Sequence, residues 1–296
     1  MNIRYAVIAT SALLATPAAQ AVQNIDQSLP TGATPSVEIS NVQGRVSVSA
    51  WDQPVVKVTG TIENDKTEFE FSGDAGRVVI KVRPESSKTD RHDDALLDIK
   101  VPAGASLDVN TVSADIQVEG VRGAQQLESV SGDVTATAFD EEVEVQTISG
   151  DAAVNGSGGK ARVETESVSG DVKVRGVSGE LQAKSVSGDL ELELGTMTRL
   201  QMETVSGNVR ADAILASDGR VEAESVSGNV RIRFGKPVNG EFDLESFSGS
   251  IDSCFGPKAE RKSKYAPGSE LRFTQGEGGA RVSVDTMSGN IKLCDM

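Results

Sequence analysis

A parallel β-helix, an all-β solenoid with coils of about 18–21 residues, is the fold this 296-residue chain predicts. Three observations lead there. The phrase Ser-Val-Ser-Gly-Asp/Asn, followed by an apolar residue, keeps returning with its central serine at Ser113, Ser131, Ser149, Ser169, Ser187, Ser206, Ser227, Ser248 and Ser288. The first seven steps are 18, 18, 20, 18, 19, 21 and 21 residues and the last is 40. Self-similarity at such a period marks stacked units that bury a shared core. Around each serine the apolar residues alternate, as they do in half-buried strands. The composition, with 30 Gly and only 4% aromatics, suits a turn-rich stack better than a globule with one thick core.

From the N-terminus, residues 1–21 read as a secretory signal peptide. Arg4 opens it, Tyr5 to Thr16 is apolar, and Pro17 leads to the small-x-small pattern Ala19-Gln20-Ala21. Residues 22–296 then form one β-helix domain, with less regular coils over 22–104, regular coils over 105–253, and a C-terminal coil with a basic loop over 254–296. No apolar run is long enough to span a bilayer. The expected location is periplasmic or secreted.

The first coil is traced by Val37, Ile39, Asn41, Val42, Gln43, Gly44, Val46 and Val48, after which Trp51 falls on the coil's short third side as a core or cap residue. Pro30 and Pro35 interrupt the approach to it. Between Thr59 and Gly104 strands are expected near Thr67–Ser72, Arg77–Val82 and Leu96–Val101, with a polar loop over Glu85–Asp94.

In the regular coils, positions are counted from the marker serine. Apolar residues at −6 and −4 and Ser or Thr at −2 form the inner face of a first strand, as in Val143, Val145 and Thr147. The cluster at −1 to +2 is a bend, expected from the tolerance of Gly, Asn and Asp for positive φ, although Ala114 replaces the glycine once. A second strand is apolar at +3 and +5, as in Val172 and Val174. Each strand is expected to pair in parallel with its equivalent one coil away, about 4.8 Å along the axis. A long excursion over Gly256–Gly268 precedes the last coil.

The two cysteines, Cys254 and Cys294, both occupy +6 of their units. Stacked neighbours about 5 Å apart suit a disulfide, whereas a gap of two coils does not. A bond between them requires that no complete coil intervene at that edge. The absence of C-x-x-C argues against a redox-active pair.

With this register, the chain resembles the bacterial putative-adhesin β-strand-repeat family, a domain of unknown function. The matching residues are Val37-Glu38-Ile39-Ser40-Asn41-Val42-Gln43-Gly44-Arg45-Val46, then Trp51-Asp52, Ile99-Lys100-Val101-Pro102-Ala103-Gly104 and the Val-Ser-Gly-Asp/Asn run. The resemblance spans about Val37 to Leu293 and implies a single-stranded, right-handed β-helix with an adhesin-like role.

The formal net charge of −15 opposes binding of nucleic acid or anionic membranes and leaves room for a cationic partner. No catalytic, cofactor or metal constellation emerges, so no cofactor is expected. His92, the only histidine, sits in a polar loop and cannot build a His-rich zinc site or a triad. The column at +2 (Asp115, Asp133, Asp151, Asp171, Asp189, Asn208, Asn229, Asn290) could hold a row of cations, but the free exchange of Asp and Asn favours turn geometry. The Ser/Thr columns could order water, but more often such columns satisfy one another.

Outer positions of the first strand are acidic, from Glu128 to Glu245, and those of the second carry Lys173, Arg175, Arg210, Arg231 and Arg233. This is a solvated surface or a charged docking face. Lys258, Arg261, Lys262 and Lys264 form the one dense basic patch, which could bind an envelope polymer or protein or clamp onto the acidic coils. The expected function is a non-catalytic exported β-helix, an adhesin-like binding or scaffold module of the cell envelope. The alternative is a polysaccharide lyase or hydrolase on the same fold.

Overall fold

The computed structural model describes residues 22–84, 94–261 and 267–296, and every regular element among them is a strand. The N-terminal strands are β1 (Gln23–Pro30), β2 (Ser36–Trp51), β3 (Val55–Ile62), β4 (Glu68–Gly73), β5 (Arg77–Arg83) and β6 (Ala95–Pro102). The body comprises β7 (Ser106–Glu119), β8 (Gln125–Ser129), β9 (Val134–Ala138), β10 (Glu142–Thr147), β11 (Ala152–Gly156), β12 (Lys160–Ser167), β13 (Val172–Arg175), β14 (Ser178–Ser185), β15 (Leu190–Thr204), β16 (Val209–Ser225) and β17 (Val230–Phe234). The C-terminal part adds β18 (Gly240–Ser246), β19 (Ile251–Ser253), β20 (Glu260–Arg261), β21 (Ser269–Gln275), β22 (Ala280–Thr286) and β23 (Ile291–Asp295). The signal-like segment, His92, Lys262 and Lys264 lie outside the described residues, as does all but the last residue of the polar loop at Glu85–Asp94.

Equivalent strands pair in parallel and in register, which makes the chain solenoid-like. Val143 lies opposite Gln125 and Val163, Val163 opposite Leu181, and Leu181 opposite Leu200. These stacked side chains are buried and merge into one core running the length of the molecule. Full burial of a Val or Leu contributes roughly 1.5–3 kcal/mol, so the alternation read from sequence is also the main stabilising term. One inner position departs from it: Gln125 is buried and donates from Nε2 to the Val121 and Thr137 carbonyls, both at 3.0 Å.

The bend is built for a different reason than expected. None of the glycines from Gly132 to Gly289 that follow a marker serine has positive φ; Gly44 in the first coil does, at 108°. What demands glycine is close approach between coils. A Cβ on Gly170, Gly188, Gly207 or Gly228 would sit 1.9 Å from the carbonyl oxygen of the glycine one coil away. Ala114 stands where the neighbouring bend is Gly44, whose backbone differs.

The flanking columns serve the same bend. From Ser129 to Thr204 the hydroxyls at −2 accept from the glycine N–H, as from Gly150 to Thr147 at 2.9 Å and from Gly188 to Ser185 at 2.8 Å, while Ser225 and Ser246 donate to a glycine carbonyl. At +2, each Oδ1 accepts the backbone N–H of the next +2 residue. Asp151 donates to Asp133 and Asp171 to Asp151, both at 2.9 Å, and Asn229 donates to Asn208 at 3.2 Å. Only an acceptor is needed there, so Asp and Asn interchange. The Ser/Thr column therefore satisfies backbone rather than neighbouring hydroxyls.

At both ends the coils are interleaved, which the sequence order did not suggest. The coil made by β2 lies between β7 and the outer strands β5 and β6. At the other end β22 and β23 insert between β16/β17 and β18/β19, so the Ser288 unit stacks inside the Ser248 unit. Antiparallel strands then cover the edges: β4 on β5, β3 on β6 with β1 beyond, and β21 on β18 with β20 beyond. The excursion at 256–268 thus continues into a strand rather than directly into a coil. Phe273 of β21 stacks on Phe242 at 4.6 Å between ring centroids and, with Phe255, closes that end of the core.

No coil intervenes between β19 and β23, which makes the disulfide possible. Cys254 and Cys294 are bonded, with Cα atoms 4.9 Å apart on adjacent rungs. Trp51, half-buried, donates from its indole to the Val55 carbonyl at 2.7 Å and carries Lys100 over its ring, in keeping with a cap.

Candidate functional site: an apolar groove along the bends

The residue at −1 is outward-facing by the parity of the strand, yet it is apolar in every regular coil. In spatial order these residues are Val112, Val130, Ile148, Val168, Val186, Val205, Val226, Met287 and Phe247. The order follows from hydrogen bonds in which each marker serine N–H meets the −1 carbonyl of its neighbour, from Ser131 to Val112 through Ser288 to Val226 and Ser248 to Met287. All nine are between 41% and 59% exposed, and the two largest, Met287 and Phe247, stand together at the C-terminal end. Isolated exposed hydrophobics are ordinary, but a contiguous file of them marks an interaction surface.

From Val130 onward this file lies in a groove of about 880 Å³. Its other wall is the −3 column, in register from coil to coil: Asn110, Glu128, Gln146, Glu166, Lys184, Glu203, Glu224, Asp285 and Glu245. The first part of the column is mixed, and Lys184 meets Glu166 at 3.4 Å. The last four members are all acids. Like charges directly opposite each other on a sheet repel. Asp285 registers this: burial, and then the charges of Glu245, Asp243 and Glu224, hold its carboxyl above the usual aspartate value of 3.8. Asp285 is nevertheless solvent-exposed, so water screens much of that repulsion.

The basic positions of the second strand are in part neutralised within the stack. Arg233 pairs with Asp212, Arg175 with Glu193 at 3.5 Å, Arg210 with Asp189 at 3.7 Å, and Lys173 with Asp151 and Asp171 at 3.9 Å. Of the expected basic patch, Lys258 and Arg261 are among the described residues. Both are exposed and border a hollow with Arg272, but Glu260 and Glu270 share it. Arg272 pairs with Asp243 of the acidic coils at 2.8 Å. Among the described residues no cluster of His, Cys, Asp and Glu is arranged to hold a metal ion. Among them also, no helix is long and apolar enough to cross a membrane.

Sequence reasoning placed the −1 residues in the bend without assigning them a role. The signal was present: at −2 a polar residue points inward and at −1 an apolar one points outward, an inversion of the pattern on either side.

Comparison with solved structures gives distant likenesses. A putative cell adhesion protein from Clostridium sporogenes ATCC 15579 is 7% identical, with 93% of this chain and 100% of that chain covered and a TM-score of 0.22. A putative adhesin from Parabacteroides distasonis ATCC 8503 is 15% identical, with 74% and 96% covered and a TM-score of 0.30. No curated protein sequence matches. The sequence profile of the Toastrack DUF4097 family matches residues 31–234 and 195–294, which takes in nearly every coil described above. The chain belongs to the Toastrack DUF4097 family.

Proposed function

We propose that this protein is a non-catalytic binding or scaffold module of the cell envelope, exported after removal of residues 1–21. On this reading residues 22–296 form one domain, a right-handed parallel β-helix, and the groove along the bends is its binding face. One observation carries the proposal: a file of nine exposed apolar residues, eight of which line one groove. A soluble chain keeps such a file only if something covers it. The Cys254–Cys294 bond supports an oxidising compartment outside the cytoplasm. The adhesin-like role implied by the family resemblance agrees with a binding surface. The polysaccharide-enzyme alternative could draw on Glu224, Asp285 and Glu245 beside Phe247, but it has less support, because these acids stand in one column on a single wall rather than on either side of a bound chain.

The test is site-specific photocrosslinking in cells. A photoreactive residue at Val205 or Val226 should give a discrete adduct, and one at Arg162 on the outer strand surface should not. Equal labelling from all three would discount the groove, and release of new sugar ends from any polysaccharide would discount a non-catalytic role.

A further inference from the structure

We propose that the groove's occupant is a basic amphipathic helix lying along the solenoid axis, its apolar stripe on Val205, Val226, Met287 and Phe247 and its lysines or arginines against Glu203, Glu224 and Asp285. This rests on the groove being the binding face and names what it binds. Charge is the first argument. Where the apolar file carries its largest side chains, the wall beside it is purely acidic, and Glu203, Glu224 and Asp285 have no basic partner among the described residues. A second copy of this chain would set acid against acid, which costs association energy.

Spacing is the second argument. Rungs of a parallel sheet repeat every 4.8 Å or so. A helix returns to the same face every 5.4 Å or so, and its i, i+3 and i+4 side chains advance about 4.5–6 Å, so its ridges follow the rungs over several turns. An extended chain repeats on one face at nearly 7 Å and falls out of step within two rungs. Backbone chemistry is the third. The bend N–H and C=O groups are already joined from coil to coil, as from Ser206 to Val186 and from Ser227 to Val205. An added strand would find no backbone partners, whereas a helix brings its own hydrogen bonds satisfied.

The probe is a fluorescent Leu/Lys peptide of about 18 residues with apolar positions at i, i+3, i+4 and i+7, titrated with the purified protein and read by anisotropy. Binding should weaken about tenfold in the Glu224→Gln/Asp285→Asn double variant and again in Val226→Ser/Met287→Ser/Phe247→Ser, while Gln117→Ser, on the outer face of β7 and away from the groove, changes it less than about twofold. These positions are all solvent-exposed, and circular dichroism should show folding intact. A scrambled peptide of the same composition binding equally well, or acid variants that bind unchanged, would overturn the inference. If a Leu/Glu peptide of the same pattern binds and only the stripe variants weaken it, the basic partner is wrong and the groove stands. If stripe variants affect neither peptide and the crosslink is also absent, both readings fall. Dimerisation abolished by the stripe variants would assign the groove to a second copy instead.

Discussion

At the scale of single residues, each bend is a small device in which a glycine and two polar side chains serve one backbone. Gly188 lets two coils meet, Ser185 accepts its N–H at 2.8 Å, and Asp171 accepts the N–H of Asp189 at 3.0 Å. Substituting Gly188→Ala drives a Cβ to 1.9 Å from the Gly170 oxygen, so the coils must part. A loss of about 1–3 kcal/mol in urea denaturation is expected, as for other overpacked sites. The +2 column predicts the opposite sensitivity. Asp151→Asn keeps the acceptor and should shift stability by less than about 0.5 kcal/mol, while Asp151→Ala removes it and should cost roughly 0.5–1 kcal/mol. If Asp151→Asn were as damaging as Ala, the charge rather than the acceptor would be what matters. The sequence showed these columns clearly but not their purpose. Positive φ and close coil approach both select glycine, and only the position of the neighbouring carbonyl separates them.

At the scale of elements, the C-terminal coils depend on a staple. The pair β22/β23 arrives late in the chain yet sits inside β18/β19, and the Cys254–Cys294 bond ties the two rungs together. The bond closes a 40-residue separation, which in the chain-entropy model stabilises the fold by about 4 kcal/mol. Because each coil touches mainly its neighbours, the loss on reduction should stay local. Hydrogen exchange of the Cys254→Ser/Cys294→Ser variant should quicken in β18, β19, β22 and β23 and change little in β10 to β14. Uniform quickening would mean that the solenoid unfolds as one unit. The cysteine positions revealed that the two rungs touch. That the later coil lies on the inner side was hidden, since the register is the same in either order.

At the scale of the whole molecule, net charge of −15 is distributed unevenly, and the acids gathered around Asp285 make the groove's C-terminal end respond to pH. Burial, with Glu245, Asp243 and Glu224, raises the folded-state pKa of Asp285 above its unfolded value near 3.8. This group's contribution is therefore fully favourable below that value and is lost as pH rises through the raised pKa. Glu38 runs the other way. Hydrogen bonds from Lys81 and Arg77 lower its pKa, so its contribution is present above the usual glutamate value of 4.5 and is lost on acidification through the lowered one. Asp285→Asn should then melt slightly higher than wild type at neutral pH, and the difference should vanish as pH approaches 3.8. A constant difference across that range would place the effect in packing.

The sequence by itself determined the coil, because a period of two within a period near twenty leaves one way to bury the apolar residues. It also determined the register position each residue takes in its coil, down to the two cysteines. Only the tertiary structure decided the order of the end coils, the antiparallel strands that cover their edges, and the groove itself. Those depend on contacts between segments far apart in the chain, where one backbone ladder accepts any strand of matching register and packing at the open ends selects among them.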